Sequence, residues 1–242
     1  MELKGRCALV TGGGRRLGRA IAWGLARRGM HLGIHYHTSE AGAKATAQDA
    51  EVLGVRAALL RADLGVAEEA EALPARAREA LGGLDVVVNG AAVMERRPFE
   101  EVTPADWDRA MDLNLRGTFF VSKGAAAVMR ETGGAIVNLA DIAAFERWRE
   151  YPVHCVSKAG VVALTGWLAK ALAPRIRVNA VAPGAVLLPQ DWPEDAARRL
   201  AASTPLGRIG RPDDVFGAVV FLLENDFVTG ETLVVDGGRL VR

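Results

Sequence analysis

Seven short apolar segments alternate with stretches of helical periodicity along the 242 residues of this chain. The first, CALV at 7–10, is followed by LGRAIAWGLARRG, where apolar residues recur at a helical spacing until Gly29. The other six are HLGIHY (31–36), VRAALLRAD (55–63), LDVVVNG (84–90), GAIVNLA (134–140), IRVNAVAPG (176–184) and TLVVDGG (232–238). Strands that are apolar on both faces and separated by helices predict an α/β fold with a doubly wound, seven-stranded parallel sheet covered by helices on both faces.

The length suits one domain over residues 1–242, and no internal repeat, low-complexity run or flexible linker interrupts it. The segment DDVFGAVVFLLEN predicts a late helix that opens with an aspartate cap. Residues 185–204 show no clear periodicity. Because long irregular segments in compact domains are often lids, we predict a substrate lid there.

Composition narrows the choice of partner. Thirty basic residues against 29 acidic residues give a formal charge of +1, so no overall field attracts nucleic acid or a membrane. The chain is therefore predicted to act on a small molecule. Cys7 and Cys155 have neither a pairing signature nor metal-ligand spacing, so no metal is expected. The N-terminal sequence fits neither a signal peptide nor a membrane span, which predicts a soluble, cytoplasmic protein.

A glycine-rich turn follows the first predicted strand, in VTGGGRRLGRAIAWGLA. Gly12, Gly13 and Gly14 let the backbone turn tightly and approach a diphosphate. Gly18 lets the next helix pack closely, with its amide end facing the anion. The placement of this turn between a strand and a helix favours a dinucleotide site over a plain tight turn.

The second strand ends in HYHTS, where enzymes that use NAD usually carry an acidic residue. Tyr36 and His37 occupy that place, and nothing there repels a 2′-phosphate. Arg16, together with His37, Thr38 and Ser39, supplies possible donors to this phosphate, so NADP(H) is favoured over NAD(H). The alternative is that HYHTS is only a polar loop and Arg16 a surface charge.

Nine motifs occur in one order: TGGGRRLG, ADL, NGAA, NLRGTFF, IVNLAD, SKAG, IRVNAVAPG, PLGRIGRPDDV and TGETLVVDGG. Over essentially the whole chain they resemble the short-chain dehydrogenase/reductase family, which implies a Rossmann fold and a homotetramer. Within that family, the TGGGRRLG turn, the HYHTS strand end and an aspartate at Asp141 are similar to the pteridine reductases. Most members of the family have a catalytic serine at this last position.

The resemblance implies a catalytic tetrad of asparagine, serine, tyrosine and lysine. Asn114 and Lys158 stand at the asparagine and lysine positions, while Asp141 replaces the serine and His154 replaces the tyrosine. The lysine would also hold the nicotinamide ribose. The predicted cofactor-binding residues are Thr11, Gly12, Gly14, Arg16, Leu17, Gly18, Tyr36, His37, Thr38, Ser39, Asp63, Leu64, Asn89, Gly90, Ala91, Lys158, Pro183 and Gly184.

His154 and Lys158 are four residues apart, so a helix through both places them on one face. An imidazole has an unperturbed pKa near 6.5 and must be protonated to donate. Asp141 would favour the imidazolium and Lys158 would oppose it, so either His154 or Asp141 is a candidate proton donor. Tyr151, Trp148 and Trp192 are predicted walls of the substrate pocket.

Two functions follow from this reading. The first is an NADPH-dependent reductase of a carbonyl or a pterin-like C=N bond. The second is a catalytically impaired NADP(H)-binding protein that acts as a sensor or as a partner subunit, because the tyrosine is replaced by His154 and NNAG is altered to NGAA.

Overall fold

The computed structural model describes residues 1–188 and 192–241. Seven strands form one sheet in the order β3-β2-β1-β4-β5-β6-β7, and every neighbouring pair is parallel. The strands are β1 (Cys7–Thr11), β2 (His31–Tyr36), β3 (Ala57–Arg61), β4 (Val86–Asn89), β5 (Gly134–Leu139), β6 (Ile176–Pro183) and β7 (Thr232–Val235). The predicted seven-stranded parallel sheet is confirmed.

Nine α-helices connect or follow these strands in the described part of the chain. They are α1 (Arg16–Arg27), α2 (Glu40–Val52), α3 (Ala67–Leu81), α4 (Pro104–Met111), α5 (Thr118–Val128), α6 (Ala143–Glu146), α7 (Pro152–Leu172), α8 (Glu194–Ala202) and α9 (Pro212–Glu224). A π-helical turn, Asp112–Gly117, joins α4 to α5, and short 3-10 turns lie at Phe99–Glu101 and Arg239–Val241.

The two largest hydrophobic cores of the described residues lie on opposite faces of the sheet. Val86 and Val88 of β4 belong to the core beneath α1, α2 and α9, whereas Val87 belongs to the core beneath α3, α5 and α7. Alternate side chains of a strand point to opposite faces, so a strand covered on both sides must be apolar throughout. This explains why the strands read as continuous apolar runs.

Two local expectations differ from the structure. The N-cap of α9 is Arg211, with Pro212 at the first helical position, so the predicted aspartate cap was wrong. Asp214 lies inside the first turn and accepts the Arg211 N–H at 2.6 Å, and proline at this position favours a helix start. The segment 185–204 was predicted to be irregular, but it contains α8. Residues 189–191 of the predicted lid lie outside the described residues.

Helix α7 is long and apolar enough to cross a membrane by length and composition alone, with a mean hydropathy of 1.3. In the structure it packs against β6, α4 and α6. Its buried face carries four polar side chains, those of His154, Ser157, Lys158 and Thr165. Helix α7 therefore packs as one of the helices that cover a face of the sheet.

Arg177 is expected to be a large single contributor to stability. Its guanidinium donates to the carbonyl oxygens of Leu222 (2.7 Å), Leu223 (2.9 Å) and Val228 (3.0 Å), at and just beyond the C-terminal end of α9. Arg177→Met leaves these acceptors without that partner, so we expect the free energy of unfolding to fall by about 2–4 kcal/mol. Urea unfolding measures this loss.

Arg175→Met is the matched control, because Arg175 makes one exposed bond, to the Glu131 carbonyl. We expect it to change stability by less than about 0.5 kcal/mol. Equal losses in the two variants would contradict the role given to Arg177.

Candidate active site

One cleft of about 890 Å³ runs along the carboxyl ends of the strands. It crosses the point between β1 and β4 where the strand order reverses, which is where doubly wound sheets bind ligands. The predicted residues that line it are Gly12, Arg16, Leu17, Gly18, Tyr36, His37, Thr38, Ser39, Asp63, Leu64, Gly90, Ala91, Asp141, Trp148, Tyr151, His154, Lys158, Pro183, Gly184 and Trp192. Thr11, Gly14, Asn89 and Asn114 are not among the lining residues and lie behind them.

The glycine turn is fixed to the second strand by a histidine. Gly12 has a left-handed φ of 69°, and its N–H donates to His35 Nδ1 at 3.1 Å. His35 Nε2 lies 3.1 Å from the Ala62 carbonyl, which only accepts, so Nε2 carries the hydrogen. Burial lowers the pKa of His35 to about 4 and keeps the ring neutral. His35 therefore holds the glycine-rich turn, called the phosphate turn below, against β2 and the end of β3.

The N-terminal end of α1 presents open amide groups to the cleft. Arg15, its N-cap residue, makes no side-chain capping bond, and no acidic residue occupies the first turn. Unpaired N–H groups and the helix dipole make such an end an anion site. Gly14 has a different reason to be glycine: a Cβ there would lie 2.8 Å from the Ala43 nitrogen, so its absence lets α2 pack against the turn.

Arg16 joins the phosphate turn to the segment after β6. Its backbone is left-handed, with a φ of 49°, and its Nη2 donates to the Leu187 carbonyl. That bond uses one of the five donors of the guanidinium. Binding of a 2′-phosphate by Arg16 stays a prediction. Farther along the cleft, His37 Nε2 lies 3.9 Å from Asp63 Oδ2.

Gly18→Ala is expected to weaken dinucleotide binding by about 5- to 150-fold. A Cβ at Gly18 would lie 2.3 Å from the Gly12 carbonyl oxygen, so the turn must move, at a cost of about 1–3 kcal/mol. Cofactor titration followed by fluorescence measures the loss. Gly217→Ala is the control, since a Cβ there meets nothing within 4 Å and alanine favours a helix by about 0.5–1 kcal/mol. Unchanged affinity in Gly18→Ala would contradict the close approach.

Two predicted residues support the cleft from behind. Thr11 Oγ1 accepts the N–H groups of Gly90 (2.9 Å) and Ala91 (3.1 Å), which holds the loop after β4. The Asn89 side chain is buried and donates to Asn138 Oδ1 at 2.9 Å. It therefore ties β4 to β5.

Asn114 holds Val93, a residue of the loop after β4, through two hydrogen bonds. Its Oδ1 accepts the Val93 N–H at 2.8 Å, and its Nδ2 donates to the Val93 carbonyl at 2.9 Å and to Ser157 Oγ at 3.0 Å. The residue stands in the π-helical turn, a rare conformation that often marks functional sites. The same Val93 carbonyl lies 3.3 Å from His154 Nδ1.

The structure brings His154 and Asp141 together. Because the Val93 carbonyl only accepts, Nδ1 of His154 carries a hydrogen and Nε2 is the atom that gains or loses a proton. Nε2 lies 3.5 Å from Asp141 Oδ2 and has no hydrogen bond to the described residues, although the side chain is only 4% exposed. Asp141 is held in turn by the Ala143 N–H, which donates to Oδ1 at 2.8 Å.

Lys158 lies one helical turn beyond His154 on the buried face of α7. Its Nζ donates to the Leu139 carbonyl at 2.6 Å. Burial lowers the pKa of Lys158 to about 8, and the charge of Asp141 partly opposes this shift. A buried ammonium with one neutral partner retains two donors for a ligand.

Aromatic side chains form the wall beside these groups. The Trp148 ring lies nearly parallel to the His154 ring, at 16° and 6.5 Å between centroids, and meets Tyr151 edge-on at 6.0 Å. Trp192 also lines the cleft. Arg239 is a further lining residue, and no sequence motif pointed to it.

The residues present fit a dinucleotide. Open helix amides at one end suit its phosphates, and the buried lysine and the His–Asp pair at the other end suit a ribose and a reacting group. When bound, the nicotinamide ring supplies or accepts a hydride. Such an arrangement defines an oxidoreductase that uses a nicotinamide dinucleotide.

Comparison with known proteins gives the family. A family model described as enoyl-(acyl carrier protein) reductase matches residues 13–239. A 3beta-hydroxysteroid dehydrogenase of Eggerthella lenta is 36% identical over 246 residues, which cover 98% of this chain and 94% of that protein. The chain belongs to the short-chain dehydrogenase/reductase family.

Two solved structures agree with this assignment. A 7α-hydroxysteroid dehydrogenase in complex with NADH and 7-oxo glycochenodeoxycholic acid matches with a TM-score of 0.92 and 31% identity, over 98% of this chain and 96% of that one. A blue fluorescent protein from a metagenomic library, in complex with NADPH, matches with a TM-score of 0.91 and 34% identity, over 99% of both chains.

Proposed function

We propose that this oxidoreductase transfers hydride between NADP(H) and a carbonyl or pterin-like C=N substrate, with Asp141, His154 and Lys158 as its polar centre. One observation carries the proposal: the buried Nε2 of His154, beside a carboxylate in the cleft, has no hydrogen bond to the described residues. A buried polar atom without a partner is costly unless a ligand or water satisfies it. A substrate oxygen or nitrogen beside Nε2 would satisfy it.

The proposed proton transfer uses the fixed tautomer of His154. In the direction of reduction, the imidazolium gives its Nε2 proton to the substrate heteroatom, while Nδ1–H stays on the Val93 carbonyl. Asp141 Oδ2 lies 3.5 Å from the same Nε2. Asp141 is the alternative donor, as the similarity to pteridine reductases implies.

Lys158 is proposed to bind the cofactor and to position it. Its ammonium is held by Leu139 and leaves donors for the ribose hydroxyls. Pro183 and Gly184 border the same end of the cleft. The other predicted cofactor residues that line the cleft run back toward the phosphate turn, whereas Thr11, Gly14 and Asn89 lie behind them.

The walls of the cleft favour a substrate with a ring. Trp148, Tyr151 and Trp192 offer flat apolar surface, which suits an alicyclic or heterocyclic ketone. The relatives named above as hydroxysteroid dehydrogenases support a ring carbonyl or secondary alcohol. Asp141 and the HYHTS strand end support a pterin as the second candidate.

The test of this proposal is NADPH oxidation against a panel of cyclic ketones and dihydropterins. Turnover of one class identifies the substrate type. Silence across the panel, with the cofactor shown to bind by titration, would reject the reductase in favour of the alternative, an NADP(H)-binding protein with an impaired site that serves as a sensor or partner subunit.

His37→Asp tests the cofactor preference. A carboxylate at the end of β2 accepts from ribose hydroxyls and repels a 2′-phosphate. We expect the ratio of kcat/KM for NADPH over NADH to fall by about tenfold or more, since one charge-assisted hydrogen bond is worth about 1.5–3 kcal/mol. Steady-state rates with both cofactors give the ratio. A ratio that stays constant would show that position 37 does not contribute to the choice between NADPH and NADH.

The remaining expectations are proposed on the same basis. Residues 1–242 are taken as one cytoplasmic NADP(H)-binding domain, with 185–204 as a substrate lid joined to the phosphate turn through Arg16 and Leu187. The similarity to the family supports a homotetramer. Light scattering of the purified protein measures the subunit number.

A further inference from the structure

We propose that Glu146 and Arg239 are positioning residues that act through Trp148 to set the orientation of the His154 ring. The inference rests on the proposed function, in which His154 Nε2 handles the proton. It assigns a role in the proton-transfer site to the C-terminal end of the chain, 85 residues beyond His154 in sequence (239 minus 154).

Arg239 and Glu146 form an ion pair that is largely shielded from water. Arg239 Nε lies 2.9 Å from Glu146 Oε1, and the two side chains are only 16% and 15% exposed. The turn that carries Arg239 is itself fixed, because Asp236 accepts the N–H groups of Gly238 (2.8 Å) and Leu240 (2.7 Å). Most surface ion pairs contribute little, but a shielded pair on a fixed backbone can define a geometry.

The same carboxylate holds the indole of Trp148. Glu146 Oε2 accepts the Trp148 Nε1–H, and the Arg239 guanidinium carbon lies 5.8 Å from the centroid of the indole ring. The main-chain N–H of Trp148 donates to Cys155 Sγ at 3.2 Å. The indole is therefore restrained both at its ring nitrogen and at its backbone.

The restrained indole lies against the face of His154. The two rings are within 16° of parallel at 6.5 Å between centroids, within the range for offset stacking. Hydrogen bonds alone restrain the imidazole little: Nδ1 lies 3.3 Å from the Val93 carbonyl, and Nε2 has no hydrogen bond to the described residues. The stack therefore adds a restraint on rotation of the ring about its Cβ–Cγ bond.

This restraint matters because Nε2 must point into the cleft. A rotated imidazole would carry Nε2 away from the substrate and from Asp141, which lies 3.5 Å from it in the present orientation. Misplacement of a catalytic group by about 1 Å can cost about 100-fold in rate. Loss of the ion pair loosens the stack rather than removing the acid, so the expected effect is smaller.

The experiment compares Arg239→Gln, which breaks the ion pair, with Arg239→Lys, which keeps the charge. We expect Arg239→Gln to lower kcat about tenfold, with the KM for NADPH within about twofold, and Arg239→Lys to recover most of the loss. Glu146→Gln is the second variant; it keeps an acceptor for the indole but removes the charge. Its kcat is expected to fall in the same direction.

Arg6→Gln is the matched control. It breaks an ion pair of the same length, 2.9 Å to Asp85, at the opposite end of the sheet. Its kcat is expected to stay at the wild-type value. An equal fall of kcat in Arg6→Gln would overturn the proposal.

A second readout needs neither substrate nor cofactor. The ring protons of His154 are identified by NMR as the signals missing from His154→Leu, and the ring current of the neighbouring indole displaces these signals. We expect the signals to move in Arg239→Gln and Glu146→Gln and to stay unchanged in Arg6→Gln. Unchanged His154 signals in both variants would overturn the proposal whatever happens to kcat. If the wild-type protein shows no turnover, the proposed function fails, and the NMR shifts alone decide the positioning role.

Discussion

Replacing His154 with leucine is expected to lower kcat by about 10²–10⁴-fold, the range that a positioned general acid or base contributes. Leucine has no proton to donate at the position of Nε2. The fold should tolerate the change, because the Val93 carbonyl keeps its bond from Asn114 Nδ2 when His154 Nδ1 is removed. Affinity for NADPH, measured by titration, should remain within a few-fold of wild type. Single-turnover rates with saturating NADPH isolate the chemical step.

Two companion variants sharpen this result. Asp141→Asn keeps an oxygen for the Ala143 N–H but removes the charge beside Nε2, so a smaller loss of kcat is expected if His154 is the donor. A loss as large as that of His154→Leu would assign the proton to Asp141. His154→Tyr restores the phenol of the family, and activity above wild type would indicate an impaired site. Wild-type rates in His154→Leu would contradict a role for this side chain in proton transfer.

The sheet was predictable because its signal is local and repeated. Each strand is an apolar run of four to eight residues, and β2 was delimited to the residue at His31–Tyr36. That Asp141 and His154 share one site was implied by the resemblance to the family, in which they hold the serine and tyrosine positions. In the structure, the end of β5 and the start of α7 bring them together.

The supports of the site were not predictable because they join distant stretches. Val93 meets His154 across 61 positions, and Arg239 meets Glu146 across 93. Neither residue stands in a periodic pattern, and a lone arginine near a terminus is more often a surface charge. Helix α8 was missed for another reason: it has only nine residues, its apolar face is formed mostly by alanine, and none of its residues is buried.

Lys158→Met is expected to raise the stability of the cofactor-free protein and to weaken the binding of NADPH. Burial lowers the pKa of Lys158 from its usual 10.5 to about 8, so below pH 8 the folded state bears the full cost of a buried ammonium. Between pH 8 and 10.5 the unfolded chain binds more protons than the folded protein. The free energy of unfolding of the wild type should therefore rise across this window, by about 3 kcal/mol from this group alone.

Lys158→Met lacks the buried ammonium, so its free energy of unfolding should exceed that of the wild type at pH 7. This difference is about 1–3 kcal/mol smaller than the cost of the buried charge, because methionine leaves the Leu139 carbonyl without its partner. Between pH 8 and 10.5 the difference should shrink by the same amount by which the wild type gains stability. Urea unfolding of the cofactor-free proteins at several pH values measures the difference, and titrations common to both proteins cancel. Lys170→Met, at an exposed lysine of the same helix, should stay within about 0.5 kcal/mol of wild type throughout.

The affinity for NADPH should fall in the same variant. Without the ammonium, NADPH loses one or two charge-assisted hydrogen bonds, so its affinity should fall by about 10–100-fold and the thermal stabilisation that it gives should diminish. A protein more stable when empty and less stabilised by NADPH would show that the buried charge is kept for the cofactor. If the difference in free energy of unfolding between Lys158→Met and wild type stays constant from pH 7 to 10.5, burial of the Lys158 ammonium does not destabilise the folded protein. Retained NADPH affinity would place the ribose elsewhere in the cleft.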